Sequence, residues 1–227
     1  MKPTILRDTA TTPDGTPLTL HERDGMFTIR VGSVELMSNR QHHSEERLAE
    51  LACEGLRERP RGRVLIGGLG MGFTLRAALG RLGADAEVVV AELIPAVIRW
   101  NQNPAYGLGA DALADPRVEV VEGDVVDVLR GGSRFDAMIL DVDNGASGLS
   151  VASNDRLYSV TGLTRAAAAL RPGGCLAVWS ANDDPAFAGR MGRAGFTVAV
   201  ERARVHAGGG GWTTLFLGRL GRLGRSR

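Results

Sequence analysis

The 227-residue chain has only two cysteines, Cys53 and Cys175, far apart and in no C-x-x-C pair. Neither a disulfide framework nor a four-cysteine zinc site is indicated, and a reducing compartment suits such a chain. An excess of one charge is also missing. The 27 Lys and Arg nearly cancel the 26 Asp and Glu, leaving a formal +1, so no broadly basic surface for nucleic acid is expected. No apolar run reaches the roughly 20 residues that cross a bilayer, and "MKPTILRDTATTPDGT" at the start has no apolar signal core. The expectation is a cytoplasmic protein without a membrane partner. There is no G-x-S-x-G and no G-K-[ST], which argues against a nucleophile elbow and a phosphate loop. His42 and His43 are adjacent, His21 and His206 isolated, and no H-x-x-x-H pair exists; no metal is expected.

Hydrophobic residues make up 44% and charged residues 23% of the chain, an ordinary globular composition that suits one principal core. Residues 1–40 hold short β-rich runs parted by Asp24-Gly25 and Gly32-Ser33, turn pairs that join antiparallel strands. They read as a small β-meander. Residues 41–62 read as a linker helix, since Leu48, Leu51, Ala52 and Leu56 recur at helical spacing behind Ser44 as N-cap and Glu45 and Glu46 in the first turn. From residue 63 to 220, apolar strands alternate with helices: "RVLIGG", "EVVVAEL", "VEVVEGD", "FDAMILDVD" and "CLAVWSAN" are the strands, and "GLTRAAAALRPGG" is one of the helices. That rhythm predicts an α/β domain with a mostly parallel twisted sheet covered on both faces. Near the end, "FTVAVERARV" and "WTTLFLGRL" leave no room for a helix between them, so "HAGGGG" joins them as an antiparallel hairpin. Residues 221–227 form a basic tail to which no role is assigned.

The candidate ligand site begins in "VLIGGLGMGF", residues 64–73. Glycines between a first strand and its following helix permit close ligand approach and supply backbone donors. A dinucleotide fingerprint fails because the third position of G-x-G-x-x-G, counted from Gly68 and Gly70, is Phe73. The spacing Gly68-x-Gly70-x-Gly72 matches the loop by which S-adenosylmethionine-type transferases hold a nucleoside and its sulfonium chain, with Met71 inside it. Glu92 ends the second strand, 20 residues beyond Gly72, where a carboxylate accepts from both ribose hydroxyls. Asp124 ends the third strand and suits the adenine amino group; Asp141 ends the fourth, at the crevice where ligands of such sheets bind. Their neighbours Leu93, Gly123 and Val125 complete the expected nucleoside-binding set. Trp100 reads as a packing residue.

On these residues the chain resembles the spermidine synthase family, the polyamine aminopropyltransferases, which share the class I methyltransferase fold. The resemblance covers most of the sequence through "HSEERLAEL", "VLIGGLGMGFTLRAAL", "AELIPAVI", "VEGDVVDVL", "FDAMILDVDNG" and "LYSVTGL...ALRPGG". It implies that Glu92 binds ribose, that Asp124 lies by adenine and that Asp141 is the first aspartate of a D-S-S-D-P motif, orienting or deprotonating the attacking amine. Asp143, beside it, is the second catalytic candidate. Departures cluster on the acceptor side. Met71 replaces the acid of the usual G-G-G-D-G-G loop, Asn144 the second motif aspartate, Ser44 a tyrosine and Trp179 a glutamine. With Tyr158 from the loop "NGASGLSVASNDRLYS", Ser44, Asn144 and Trp179 are the acceptor-binding candidates, and Asp155, Asp183 and Asp184 could compensate for the lost acids. The resemblance also implies a homodimer, for which "MFTIRVGSVELM" offers apolar surface.

Three functions stay open at this point. The chain transfers an aminopropyl group from decarboxylated S-adenosylmethionine to a small amine such as a polyamine, or a methyl group from S-adenosylmethionine to a small molecule, or it binds nucleoside without turnover. Aminopropyl transfer is the leading reading, as the resemblance implies; Met71 in place of an acid strengthens the second.

Overall fold

The computed structural model describes residues 3–132, 134–141, 156–206 and 209–221. Two sheets organise them. The first is a four-stranded antiparallel meander of β1 (Ile5–Thr11), β2 (Pro17–Arg23), β3 (Met26–Val31) and β4 (Val34–Ser38). Alternation puts Leu18, Leu20, Phe27 and Ile29 on one buried face. Arg23 pairs with Met26 across Asp24 and Gly25, whose φ values of 52° and 75° provide the two left-handed positions of a tight hairpin. The stretch "MFTIRVGSVELM" turns Phe27 and Ile29 inward, so it offers less apolar surface than its composition suggests; Val34 is its exposed large hydrophobic residue, and Ile5 and Leu6 lie exposed on β1.

Helix α1 (His43–Ala52) connects the sheets and packs Leu48, Ala49 and Ala52 into the main core. Its start differs from the expected one. His42 occupies the cap position without a side-chain capping bond, and Ser44 lies inside the helix, 1% exposed, with its hydroxyl committed elsewhere.

The second sheet has seven strands. In chain order they are β5 (Arg63–Gly67), β6 (Glu87–Glu92), β7 (Val118–Glu122), β8 (Phe135–Leu140), β9 (Leu170–Ser180), β10 (Phe196–His206) and β11 (Gly209–Leu220). They lie side by side as β10-β11-β9-β8-β5-β6-β7. Strands β5 to β9 pair in parallel, and β11 runs antiparallel to both β9 and β10. The expected α/β class with an antiparallel C-terminal strand is therefore the observed one. Every residue of "FDAMIL" in β8 is buried, as the strand lies under helices on both faces. Those helices are α2 (Phe73–Arg81), α3 (Pro95–Gln102), α4 (Ala110–Leu113), α5 (Val125–Arg130), α6 (Val160–Ala169) and α7 (Pro185–Arg193). The helix expected to run through "LRPGG" stops at Ala169, and those five residues open β9 instead. Pro172 has no N–H to continue a helical ladder.

Order reverses at β5, which has β6 on one side and β8 on the other. Such a switch point opens a crevice beyond the carboxyl ends of the strands, and the meander lies over it. One bond between the two parts is the Trp100 indole N–H on α3, donated to Asp8 Oδ2 of β1 at 2.7 Å. Trp100 is otherwise 2% exposed and packs in the core, the role read for it from sequence. Trp100→Phe removes the donor and part of the buried ring, leaving a small void. It should lower the unfolding free energy by about 2–3 kcal/mol, from the lost bond to a carboxylate and the void together, with an unchanged denaturant m-value in a urea titration.

Candidate functional site

The glycine loop between β5 and α2 takes a backbone path that only glycine follows without strain. Gly68, Gly70 and Gly72 have φ of 89°, 53° and 79°, a region that costs other residues about 1–2 kcal/mol each. The three are not equivalent. Gly68 and Gly70 line an open cavity, whereas Gly72 starts α2, where an added Cβ would stand 2.9 Å from Gly109 Cα. Gly72 therefore serves close packing of two backbone segments. At Gly70 a Cβ would come within 3.0 Å of the Met37 sulfur and terminal methyl, so bare backbone there admits β4 as the roof of the cavity.

Two buried side chains hold this loop. Asn101, fully buried on α3, donates from Nδ2 to the carbonyls of Gly70 (2.7 Å) and Val97 (2.9 Å), and its Oδ1 accepts from the Gly109 amide at 3.0 Å. Glu92, 7% exposed at the end of β6, accepts from the Leu69 amide on one carboxylate oxygen and the Ile94 amide on the other, both at 2.8 Å. Glu92 thus braces the loop and the start of α3 together.

The cavity has a volume of about 140 Å³ and opens to solvent at its mouth. Glu92, Asp124 and Asp141 all line it, together with Leu93, Gly123 and Val125. Asp124 caps α5, accepting from the Val126 amide at 2.9 Å. Asp141 accepts from the Thr74 hydroxyl at 3.0 Å. The meander contributes Thr12, Pro13, Leu18, Ile29, Leu36 and Met37, an apolar lid over a floor of carboxylates.

Several expected positions fall elsewhere. Met71 is 2% exposed and packs in the core rather than at the cavity wall, because the twist of the loop turns its side chain inward. Tyr158 is 3% exposed, edge-on to Phe187 in the second core cluster, and is not among the residues lining the cavity. Asp184 caps α7 and pairs with Arg190. Asp143, Asn144 and Asp155 lie outside the described residues. Ser44 and Trp179, distant in sequence, come together: the Trp179 indole donates to Ser44 Oγ at 3.1 Å, and Ser44 donates in turn to Glu45 Oε2 at 2.5 Å. Trp179 and Glu45 both line the cavity. The sequence reading placed Glu45 only in the first turn of a helix; what recruits it is the packing of α1 against α2 and the sheet.

Burial raises the carboxyl of Glu45 to about 8, with the charge of Asp141 adding to the shift. Burial likewise raises Asp141, to about 6, against the opposing bond from Thr74. The two titrate as a pair. No group of three or more His, Cys, Asp or Glu able to hold a metal occurs among the described residues. None of the helices described is long and apolar enough to cross a membrane.

A switch-point crevice with a glycine loop and acids at successive strand ends is the ligand site of the class I methyltransferase-like folds, and comparisons with known proteins narrow the fold further. The chain resembles a solved spermidine synthase in complex with the transition state analogue AdoDATO, with a TM-score of 0.73 at 18% identity, covering 95% of this chain and 72% of that one. The Thermotoga maritima spermidine synthase matches with the same score and coverage at 17% identity. A probable spermidine synthase from Corynebacterium glutamicum follows with 0.65 and 16%. The chain thus has the spermidine synthase fold. In sequence, polyamine aminopropyltransferases of Mycobacterium tuberculosis and Mycobacterium bovis are 36% identical over 119 residues, 51% of this chain but 22% of those proteins. The match spans about a fifth of the curated relatives' length. No family model matches. The resemblance read from the sequence is borne out in both comparisons.

The raised carboxyls predict a pH dependence of stability. A carboxyl raised in the folded state binds more protons there than in the unfolded chain, so the unfolding free energy falls as pH rises from the ordinary carboxyl range to about 8. Carboxylates held low, such as Asp115 at about 2 by Arg117, act below this window. Glu45→Gln should flatten the decline in denaturation measured across it.

Proposed function

We propose that the chain is a transferase that binds an adenosyl sulfonium and passes an aminopropyl group to a small amine, a polyamine being the acceptor class. The observation that carries this is the meeting of Glu92, Asp124 and Asp141 with the bare backbone of Gly68 and Gly70 in one cavity. Glu92 would take the ribose hydroxyls, Asp124 the adenine amino group, and Leu93, Gly123 and Val125 the surrounding wall. The polyamine aminopropyltransferases that match half the chain support the choice of group. Met71 faces the core, so the glycine loop still supplies no acid, and methyl transfer stays the second reading.

The chemistry asks little beyond positioning. The amine nitrogen attacks the carbon next to sulfur, the C–S bond breaks, and its electron pair returns to sulfur, leaving a neutral thioether. The nitrogen sheds a proton, for which Asp141, with a raised affinity, is the near acceptor; Asp143 is the second candidate. The apolar lid keeps water from the electrophilic carbon. A homodimer joined through the meander belongs to the same proposal.

Mass spectrometry after incubation with decarboxylated S-adenosylmethionine and a panel of amines should show an aminopropylated product and methylthioadenosine. Asp141→Asn should reduce turnover by about 100-fold or more while calorimetry still records methylthioadenosine binding. A methylated product from S-adenosylmethionine would instead establish methyl transfer. Binding with no product from any donor would leave a nucleoside-binding module.

A further inference from the structure

Asp124 borders a second cavity, between α5 and the turn that leads into α6. It has a volume of about 200 Å³, and Arg130, Arg156 and Arg165 line it over an apolar floor of Leu129 and Leu157. The two cavities share Asp124 and differ in charge. No Lys, Arg or His lines the first among the described residues, whereas three guanidiniums line the second.

The backbone that carries these arginines is fixed. Ser159 caps α6 with a hydroxyl that accepts from the Gly162 amide at 3.1 Å and donates to the Arg156 carbonyl at 2.8 Å. Arg190 donates to the Tyr158 carbonyl at 3.2 Å. Gly162 makes this closure possible, because a Cβ there would collide with the carbonyl oxygens of Arg156 and Leu157. Arg156 is thereby held beside the first turn of α6, and Arg165 of the same helix lines the same cleft.

Charge on this wall does not cancel. Asp127 pairs with Arg130, and Asp124 is engaged by the Val126 amide. Arg156 and Arg165 form no ion pair and no side-chain hydrogen bond among the described residues. Two like charges on one cleft repel each other, and an anion seated between them would turn that repulsion into attraction.

We propose that this cleft is a phosphate-binding site, in which Arg156 and Arg165 hold the oxygens of a phosphate group and Arg130 adds positive charge at the rim. Guanidinium forks match phosphate oxygens in pairs. A phosphate group carries about −1.5 to −2 charges at pH 7, enough to engage two cations. A carboxylate brings a single charge to the same two cations and still meets Asp124 and Asp127. The assignment goes beyond the transferase reading and stands without it, since no residue given a role in the transfer other than Asp124 borders the cleft.

Calorimetric titration of the full chain at about pH 7.5, where phosphate is largely a dianion, tests the site at constant ionic strength. The probes are inorganic phosphate, phenyl phosphate and benzoate. Inorganic phosphate should bind saturably. Arg156→Gln and Arg165→Gln should each weaken it by about tenfold or more, whereas Arg99→Gln, which removes the same charge from α3 outside the cleft, should change its Kd by less than about twofold. All three cleft arginines are exposed, so the variants should keep the wild-type thermal midpoint in the absence of ligand. Tighter binding of phenyl phosphate than of the free ion would support the site with an esterified phosphate over Leu129 and Leu157 as its ligand; equal or weaker binding would support it with the free ion. Absence of saturable phosphate binding in the wild type, a Kd unchanged in both cleft variants, an equal loss in Arg99→Gln, or benzoate bound as tightly as phenyl phosphate would overturn the assignment.

Discussion

The site depends on keeping a stretch of backbone bare and yet rigid. Glycine removes side chains from residues 68, 70 and 72 and thereby removes the contacts that would otherwise hold them, so the rigidity must come from below. Asn101 and Glu92 provide it. A fully buried amide donates both its N–H groups to carbonyls and accepts from one backbone amide, and a nearly buried carboxylate spans the loop and the start of α3. Either group without its partners would be a buried polar liability; with them it turns left-handed turns into a fixed wall. The cavity-facing surface, the start of α2 and the seat of Met37 follow from that arrangement.

A second constraint is electrostatic. Parallel strands ending at one edge bring their terminal acids together whether or not repulsion favours it, and the meander then restricts the solvent that would screen them. The cavity joins an apolar roof to an acidic floor, a combination that stabilises organic cations more than neutral or anionic ligands. Glu92 and Asp124 are braced by backbone amides, whereas burial raises the proton affinity of Glu45 and Asp141 in spite of the hydrogen bonds that each accepts.

Much of this was legible from residue order. Continuous apolar runs such as "FDAMIL" predicted parallel strands buried on both faces, and "HAGGGG" between two β-prone runs predicted the closing hairpin. The acids at strand ends were legible because a strand end in this topology is a place in space as well as in sequence. Less legible was the direction of side chains in irregular backbone. Met71 and Gly72 belong to the same motif as Gly68 and Gly70, but the loop twists between them, sending Met71 to the core and Gly72 against Gly109. Tyr158 reads equally well as a cavity or a core residue until Phe187 is seen beside it.

The sequence by itself determined the α/β class, the meander, the glycine loop and the three carboxylates at strand ends, because these follow from periodicity and from local backbone chemistry. Tertiary structure alone decided that Leu36 and Met37 roof the cavity, that Trp179 reaches Ser44, and that Glu45 faces Asp141. Those pairs come from elements whose mutual angle is set by packing over the whole core, and no local pattern of residues encodes an angle between distant segments.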